Sequence, residues 1–159
     1  MMITGIDKLV GKKVKRIFMN EEYLKFETDK GNIVFSVSGD CCSQSCFYDF
    51  IGVKKLLTGN EIVSAKEISL NANDITIVNG DDKDKKSYQE SIQVYGFEIV
   101  TKDPMLGDVT SVFSFRNYSN GYYGGFMEDA RDREVSPEIF DDLLETQAVK
   151  ILTNQTVMP

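Results

Sequence analysis

The sequence predicts an α+β domain, in which an antiparallel sheet of about six strands carries two or three helices on one face. Three patterns support this fold class. The first third alternates apolar and polar residues with a period of two, as a β-meander does. Two longer alternating runs follow at Ser91–Lys102 and Asp108–Asn117. Two other stretches repeat apolar residues at the spacing of a helix.

The composition is that of one globular domain, residues 1–159, and it excludes several chemistries. Of the 159 residues, 42% are apolar and 27% charged, and 18 basic against 25 acidic side chains give a net charge of −7. The absence of histidine excludes Ser-His-Asp and Cys-His catalysis and histidine-ligated metals. The acidic balance argues against direct binding of nucleic acid, which needs a basic face. Because neither a signal peptide nor a membrane span is evident, we expect a cytoplasmic protein that does not bind membranes.

The first three strands are predicted from alternation and turn residues. Val14–Met19 ends at the turn Asn20-Glu21-Glu22, and Tyr23–Thr28 alternates apolar with charged residues. Asp29-Lys30-Gly31-Asn32 is a hairpin loop with glycine where a positive φ is needed. Ile33–Ser38 completes the meander.

The period changes after Gly39-Asp40, which ends the third strand. From Ser43 onward the spacing predicts two short helices, with Gly52 as the break between them. Thr58-Gly59-Asn60 ends this segment, and strand character returns at Glu61–Ile68. The positions that follow helical spacing are Phe47, Phe50, Ile51, Lys54 and Leu57.

The middle of the chain is polar and precedes the two long strands. Residues 69–90 contain one short β-like run, Ile75–Val78, and a mixed-charge loop at 79–86 that lacks the glycine of a calcium-binding loop. A turn with Pro104 and Gly107 joins the long strands. The residues that share a face are Tyr95, Phe97 and Ile99 on the first strand, and Val109, Phe113 and Phe115 on the second.

A C-terminal amphipathic helix is predicted after a charged link at Glu128–Glu134. Ser136 is its cap and Pro137 its first residue. We expect the apolar stripe to pack on the sheet, and otherwise to form a homo-oligomer or to bind a partner. The stripe consists of Ile139, Phe140, Leu143, Leu144 and Ala148.

The three cysteines lie close together, at Cys41, Cys42 and Cys46. Cys41 and Cys42 would stand at the N-terminus of a predicted helix, which lowers a thiol pKa, so they are candidate reactive thiols. A metal site is not expected, because the chain has no C-x-x-C pair and no histidine. Small buried thiols that pack a tight turn in a reducing cytosol are the preferred interpretation.

The better candidate site is the stretch from Arg116 to Gly125. Its glycines allow close backbone approach, and tyrosine, asparagine and serine are typical of protein-recognition surfaces. The alternative is a strand end that turns sharply, since Asn-Gly is a turn signal. The candidate binding residues are Arg116, Asn117, Asn120, Tyr122 and Tyr123, and no cofactor is predicted.

Two segments resemble a family of small uncharacterised bacteriophage and prophage proteins. They are Gly39-Asp40-Cys41-Cys42-Ser43, with Gly52-Val53-Lys54-Lys55-Leu56 after it, and Arg116-Asn117 running into Ser119–Gly125. The resemblance extends from about residue 9 to residue 127, which leaves a C-terminal helix and tail at 128–159. This chain departs from the family at Cys46, where the family has an aromatic residue, usually tryptophan. The resemblance implies a phage protein acting in the bacterial cytosol.

Three functions follow as hypotheses. The first is a non-enzymatic protein that binds and inhibits or modulates a host protein, such as a component of host defence. The second is a small-molecule binder, for example of nucleotides, with a pocket between Asp40–Ser45 and Arg116–Gly125 and with Arg116 facing an anion. The third is an enzyme that uses a cysteine or carboxylates, although no base is evident for a nucleophile.

Overall fold

The computed structural model describes residues 5–40, 43–69, 91–119 and 124–144, and this part of the chain is almost entirely β-structure. Two antiparallel sheets pack face to face, one with strand order β8-β3-β2-β1-β9 and the other with order β4-β7-β6-β5. The five-stranded sheet consists of β1 (Val14–Met19), β2 (Tyr23–Thr28), β3 (Gly31–Gly39), β8 (Gly125–Ala130) and β9 (Glu138–Ile139). The four-stranded sheet consists of β4 (Gln44–Ile51), β5 (Ile62–Ile68), β6 (Ser91–Asp103) and β7 (Gly107–Ser119).

The predicted strands of the meander and of the long hairpin are confirmed. In β2 and β3, Leu24 stands opposite Phe35, and the two-residue turn Asp29-Lys30 leads into Gly31, whose φ is +115°. β6 and β7 pair along their whole length, from Ser91 opposite Ser119 to the turn at Gly107. The strand predicted at 61–68 is β5.

The predicted α+β class is wrong, because the helices that it required are missing from the described residues. Helical structure is limited there to a 3-10 turn at Ile6–Leu9 and to α1, the single turn Val53–Leu56 that follows Gly52. Gly52 does mark a break, with φ +83° before α1. The protein is therefore a β-sandwich rather than a sheet with helices on one face.

A β-bulge in β4 explains why residues 44–51 imitated a helix. Phe47 stands opposite Phe115, and Phe50 stands opposite Phe113. Two positions along β7 therefore correspond to three positions along β4, which has one extra residue. The extra residue turns Phe47 and Phe50 to the same face although they are three positions apart. An apolar spacing of three, which sequence analysis assigns to a helix, here belongs to a strand.

The predicted C-terminal helix is also wrong. After a cis Ser136–Pro137 peptide bond, β9 pairs with β1, and the backbone of Leu143 bridges to Phe50 on β4. Ile139 and Leu143 are both buried and are four positions apart, as in a helix. They lie, however, in an extended segment that contacts both sheets. Backbone pairing with the edges of β1 and β4 outweighs the local helix propensity of this segment. The homo-oligomer hypothesis was based on this helix, and the described residues do not form it.

The core lies between the sheets and is built from phenylalanine rings. Phe113 is at its centre, with ring centroids 5.0 Å from Phe97, 5.4 Å from Phe50 and 6.3 Å from both Phe26 and Phe47. The Ile62 N–H donates to the Lys12 carbonyl and the Gly11 N–H donates to the Ile62 carbonyl, so the chain just before β1 is joined to β5 at one side of the sandwich. Other fully buried apolar members are Leu9, Ile17, Leu24, Phe35, Val53, Leu56, Ile99, Phe115 and Met127.

The connection from β8 to β9 has to cross the outer face of the five-stranded sheet, because these strands form its opposite edges. Four strand spacings amount to about 19 Å, which a seven-residue extended link can span with little slack. Lys25, on the outer face of β2, fixes the crossing at its middle. Its Nζ lies 3.0 Å from Asp132 Oδ1 and donates to the Arg133 carbonyl at 2.8 Å. The charged link predicted at 128–134 is thus the end of β8 followed by this crossing.

The central position of Phe113 gives the first prediction. We expect Phe113→Ala to lower the free energy of unfolding by about 3–5 kcal/mol, since it removes a ring with neighbours on both sheets. Urea denaturation measures this change. Phe126→Ala, at a half-exposed ring of β8, is the control. A loss of less than about 1 kcal/mol for Phe113→Ala would contradict this account of the core.

The crossing gives a second prediction, which concerns the stability of the fold at low pH. The side chains of Asn32 and then Lys25 lower the pKa of Asp132, and Arg16 lowers the pKa of Glu138. A carboxyl whose folded pKa is lowered stabilises the fold above its unfolded pKa, near 4, and this stabilisation is lost as the pH falls through the folded pKa.

We therefore expect the melting temperature to fall below about pH 4, and Asp132→Asn with Glu138→Gln to reduce the size of that fall. Thermal denaturation between neutral pH and about pH 3 measures both. Glu67→Gln, on exposed β5, should follow the wild type. If the melting temperature of the double variant falls with pH as much as that of the wild type, these carboxylates do not stabilise the crossing and β9.

Candidate functional site

The two segments that the sequence singled out meet at one end of the sandwich. In the five-stranded sheet Gly39 is paired with Gly125, and the backbone N–H of Asp40 donates to the Gly124 carbonyl at 3.1 Å. In the four-stranded sheet Gln44 is paired with Tyr118. The described residues on both sides of 41–42 and of 120–123 therefore lie next to one another. We call this end of the molecule the loop end.

A chain of polar side chains holds the two sheets together at the loop end. Asn117 is fully buried, its Oδ1 lies 2.8 Å from Ser45 Oγ, and its Nδ2 donates to Gln93 Oε1 at 3.3 Å. Tyr95 completes the chain, since its hydroxyl lies 3.3 Å from Gln93 Oε1 and accepts from the Gly125 N–H at 3.2 Å. Ser45 Oγ is also 3.0 Å from the Ser38 carbonyl. Five strands from both sheets are thereby connected.

Two glycines are required for this close approach. A Cβ on Gly125 would lie 2.2 Å from Ser45 Oγ and 3.0 Å from Asn117 Cβ. A Cβ on Gly39 would lie 2.4 Å from Ser43 Oγ and 2.8 Å from Asn117 Oδ1. Real Cβ contacts are not this short, so any side chain at either position would push the two sheets apart. Both glycines belong to the segments that carry the family resemblance.

Arg116 lies on the other face of β7 from Asn117, because successive side chains of a strand alternate. It is fully buried, and its guanidinium carbon stands 4.0 Å above the centre of the Tyr48 ring. Its Nη2 is 3.9 Å from Asp49 Oδ2, which in turn is 3.4 Å from Ser114 Oγ. These contacts make Arg116 a buried residue on the outer face of the four-stranded sheet, opposite the core between the sheets.

The other predicted site residues lie outside the described residues. These are Asn120, Tyr122 and Tyr123 of the binding segment and the candidate reactive thiols Cys41 and Cys42. Cys46 is described and buried, on the same face of the sheet as Arg116. The short run at 75–78 and the loop at 79–86 are likewise outside the described residues. Within residues 5–40, 43–69, 91–119 and 124–144, no group of three or more metal-ligating side chains occurs.

Sequence analysis missed Gln93 and Tyr95 as parts of the site, and it included Ser45 only as the end of Asp40–Ser45 beside the small-molecule pocket. One signal was available for Gln93 and Tyr95. In a hairpin that turns at residues 104–106, Gln93 falls opposite Asn117 and Tyr95 opposite Phe115. A polar pair that follows an aromatic pair on one face marks the place where the core ends. Ser45 gave no such signal, because it lay in a segment predicted to be helical.

The chain belongs to the family described as a domain of unknown function, DUF7448, whose model matches residues 7–128. The match includes both segments of the loop end and stops before the crossing from β8 to β9. Comparison with curated proteins and with solved structures gave no match. In the part of the chain that the structure describes, no helix is long and apolar enough to cross a membrane.

The polar chain gives a third prediction. Asn117→Ala should lower the free energy of unfolding by about 1–3 kcal/mol, because it removes the hydrogen bonds of a fully buried amide to the half-buried Ser45 and Gln93. Thr110→Ala, at an exposed position of the same strand, should change it by less than about 0.5 kcal/mol. Urea denaturation of both variants measures the difference. Equal values for the two would show that Asn117 does not connect the sheets.

Proposed function

We propose that this protein is a non-enzymatic binding protein of phage or prophage origin, which uses the loop end to bind and so inhibit or modulate a host protein. The single observation that carries the proposal is the hydrogen bond from Asp40 to Gly124, together with the Asn117 chain beneath it. These hydrogen bonds bring two segments that are about 80 residues apart in the sequence together at one end of the molecule. The resemblance to phage proteins supports the biological setting.

The support beneath the loop end favours recognition by a pre-ordered surface. The strand ends that flank residues 41–42 and 120–123 are fixed by buried hydrogen bonds and by glycines in close contact. A scaffold that is already ordered loses less conformational entropy when a partner binds. Asn120, Tyr122 and Tyr123 are the side chains proposed to contact the partner, since tyrosine offers a large flat surface with a polar tip.

Asn117 and Arg116 act in this proposal as positioning residues. Both side chains are fully buried, so they support the loop end from within rather than contact a partner. The small-molecule alternative needed Arg116 to face an anion between the two segments. Its contact with the Tyr48 ring, on the opposite face from Asn117, does not favour that alternative.

The function gives a fourth prediction. The tagged chain should capture one protein from a lysate of its bacterial host at near-equal molar amount, and Tyr122→Ala with Tyr123→Ala should reduce the capture at least tenfold. Mass spectrometry identifies and quantifies the captured protein. The melting temperature of the variant should stay within about 2 °C of the wild type, because the proposal assigns both rings to the partner contact and not to the core.

The matched control is Met105→Ser with Leu106→Ser. These two side chains are 93% and 78% exposed at the turn between β6 and β7, at the opposite end of the hairpin from Asn117. This variant should capture the partner as well as the wild type does. If the control loses the partner and the tyrosine variant keeps it, the binding surface is at the wrong end and the proposal fails.

A further inference from the structure

We propose that the cleft between β1 and β4 is a second docking surface, which accepts an extended acidic segment of a partner and which residues 137–143 of the chain itself now fill. The cleft is bounded by the side of β1 that faces away from β2 and by the side of β4 that faces away from β7. The proposal is independent of the loop end, because it rests on different residues and a different surface.

The backbone of the filling segment pairs with both sheets. On one side the Met19 N–H donates to the Pro137 carbonyl at 3.1 Å, and Ile17 is paired with Ile139. On the other side the Leu143 N–H donates to the Phe50 carbonyl at 2.7 Å, and the Phe50 N–H donates back at 3.2 Å. Main-chain pairing of this kind accepts any extended segment, so side chains must supply the selectivity.

Apolar selectivity comes from two side chains spaced four residues apart. Ile139 and Leu143 are 4% and 7% exposed and belong to the core. The neighbouring Phe140 and Leu144 are 61% and 60% exposed, although they are at least as large. The cleft therefore takes two apolar residues four positions apart and leaves the residue after each of them outside.

Charge selectivity comes from contacts to two carboxylates of the segment. Glu138 Oε1 lies 2.7 Å from Arg16 Nη2. Asp142 Oδ1 accepts the backbone N–H groups of Gly52 and Val53, at 2.7 and 2.9 Å. These donors fit an acidic segment, and an uncharged or basic one would leave them without a carboxylate.

The cleft and its occupant differ in their relation to the family. Every residue named above as lining the cleft lies between Arg16 and Val53, inside the family match, whereas the occupant begins after residue 128, where the match has ended. The occupant is also attached by few backbone pairs, which are the two-residue strand β9 and one β-bridge to Phe50. We infer that it opens separately from the sandwich and competes with a partner for the cleft.

The experiment uses a fluorescent peptide with the sequence of residues 131–144 and the full-length chain. Ile139→Asp in the chain should weaken its own segment, so the peptide should bind this variant at least tenfold more tightly than it binds the wild type. In the wild type the attached segment competes at an effective concentration on the order of millimolar. Fluorescence polarisation measures both affinities. Phe140→Asp, at the exposed neighbour, should behave as the wild type does.

Specificity is tested with a peptide that carries aspartate in place of its own Ile139 and Leu143, which should not bind. Equal affinity of the unmodified peptide for the Ile139→Asp variant and for the wild type would overturn the proposal. So would a concentration-dependent dimer of the wild-type chain held by exchange of residues 137–143, since the occupant would then be a second copy.

Hydrogen exchange of the unmodified full-length chain keeps the test decisive if Ile139→Asp does not fold. The amides of Met19 and Leu143, which bond across the cleft, should exchange at least 100-fold faster than the amides of Phe97 and Phe113 in the central hairpin. If all four exchange at the same rate, the segment opens only when the whole domain unfolds. The proposal would then be wrong.

Discussion

The inward face of β7 is the constraint on which the rest of the molecule depends. Phe113 and Phe115 on this face belong to the aromatic core, and Asn117 follows them in the same row. The row therefore changes from apolar to polar at the loop end, where Gly39 and Gly125 lie against it. Any side chain at Gly39 or Gly125 would reach Asn117 or its partner Ser45. One strand thus determines both the packing of the sheets and the position of the loop end.

The C-terminal part of the described chain closes the sandwich at two open strand sides. A sheet edge with unpaired backbone groups invites pairing with another chain, and proteins commonly cover such edges. Here the same segment adds β9 to β1 and then bridges to β4. Its route is dictated by topology, since β8 and β9 stand at opposite edges and Lys25 fixes the link between them. Closure and competition for a partner are two consequences of one arrangement.

Much of the fold follows from local pattern, and the errors have physical causes. The meander and the long hairpin were predictable because alternation with a period of two survives where strands pair regularly. The segment from Gln44 was not, because a bulge gives Phe47 and Phe50 the spacing of a helix. The C-terminal stripe was not, because Ile139 and Leu143 contact two different sheets, and tertiary pairing of this kind leaves no local signature.

The candidate site was predictable in location but not in roles. Glycine, asparagine and tyrosine between Arg116 and Gly125 indicated a functional loop, and the hydrogen bond from Asp40 to Gly124 brings the flank of this segment against the flank of the cysteine segment. The burial of Arg116 could not be predicted, because an arginine in a polar stretch is usually exposed and its partner Tyr48 is far away in the sequence. Long-range pairs of this kind depend on the register between β4 and β7.

The central claim is that the two segments act as one surface, and amide chemical-shift mapping with the captured host protein tests it most directly. The account predicts that amides around residues 39–45 and around residues 116–125 shift together at the same partner concentration. Shifts in only one of the two segments, or shifts confined to the opposite end near Met105, would contradict it.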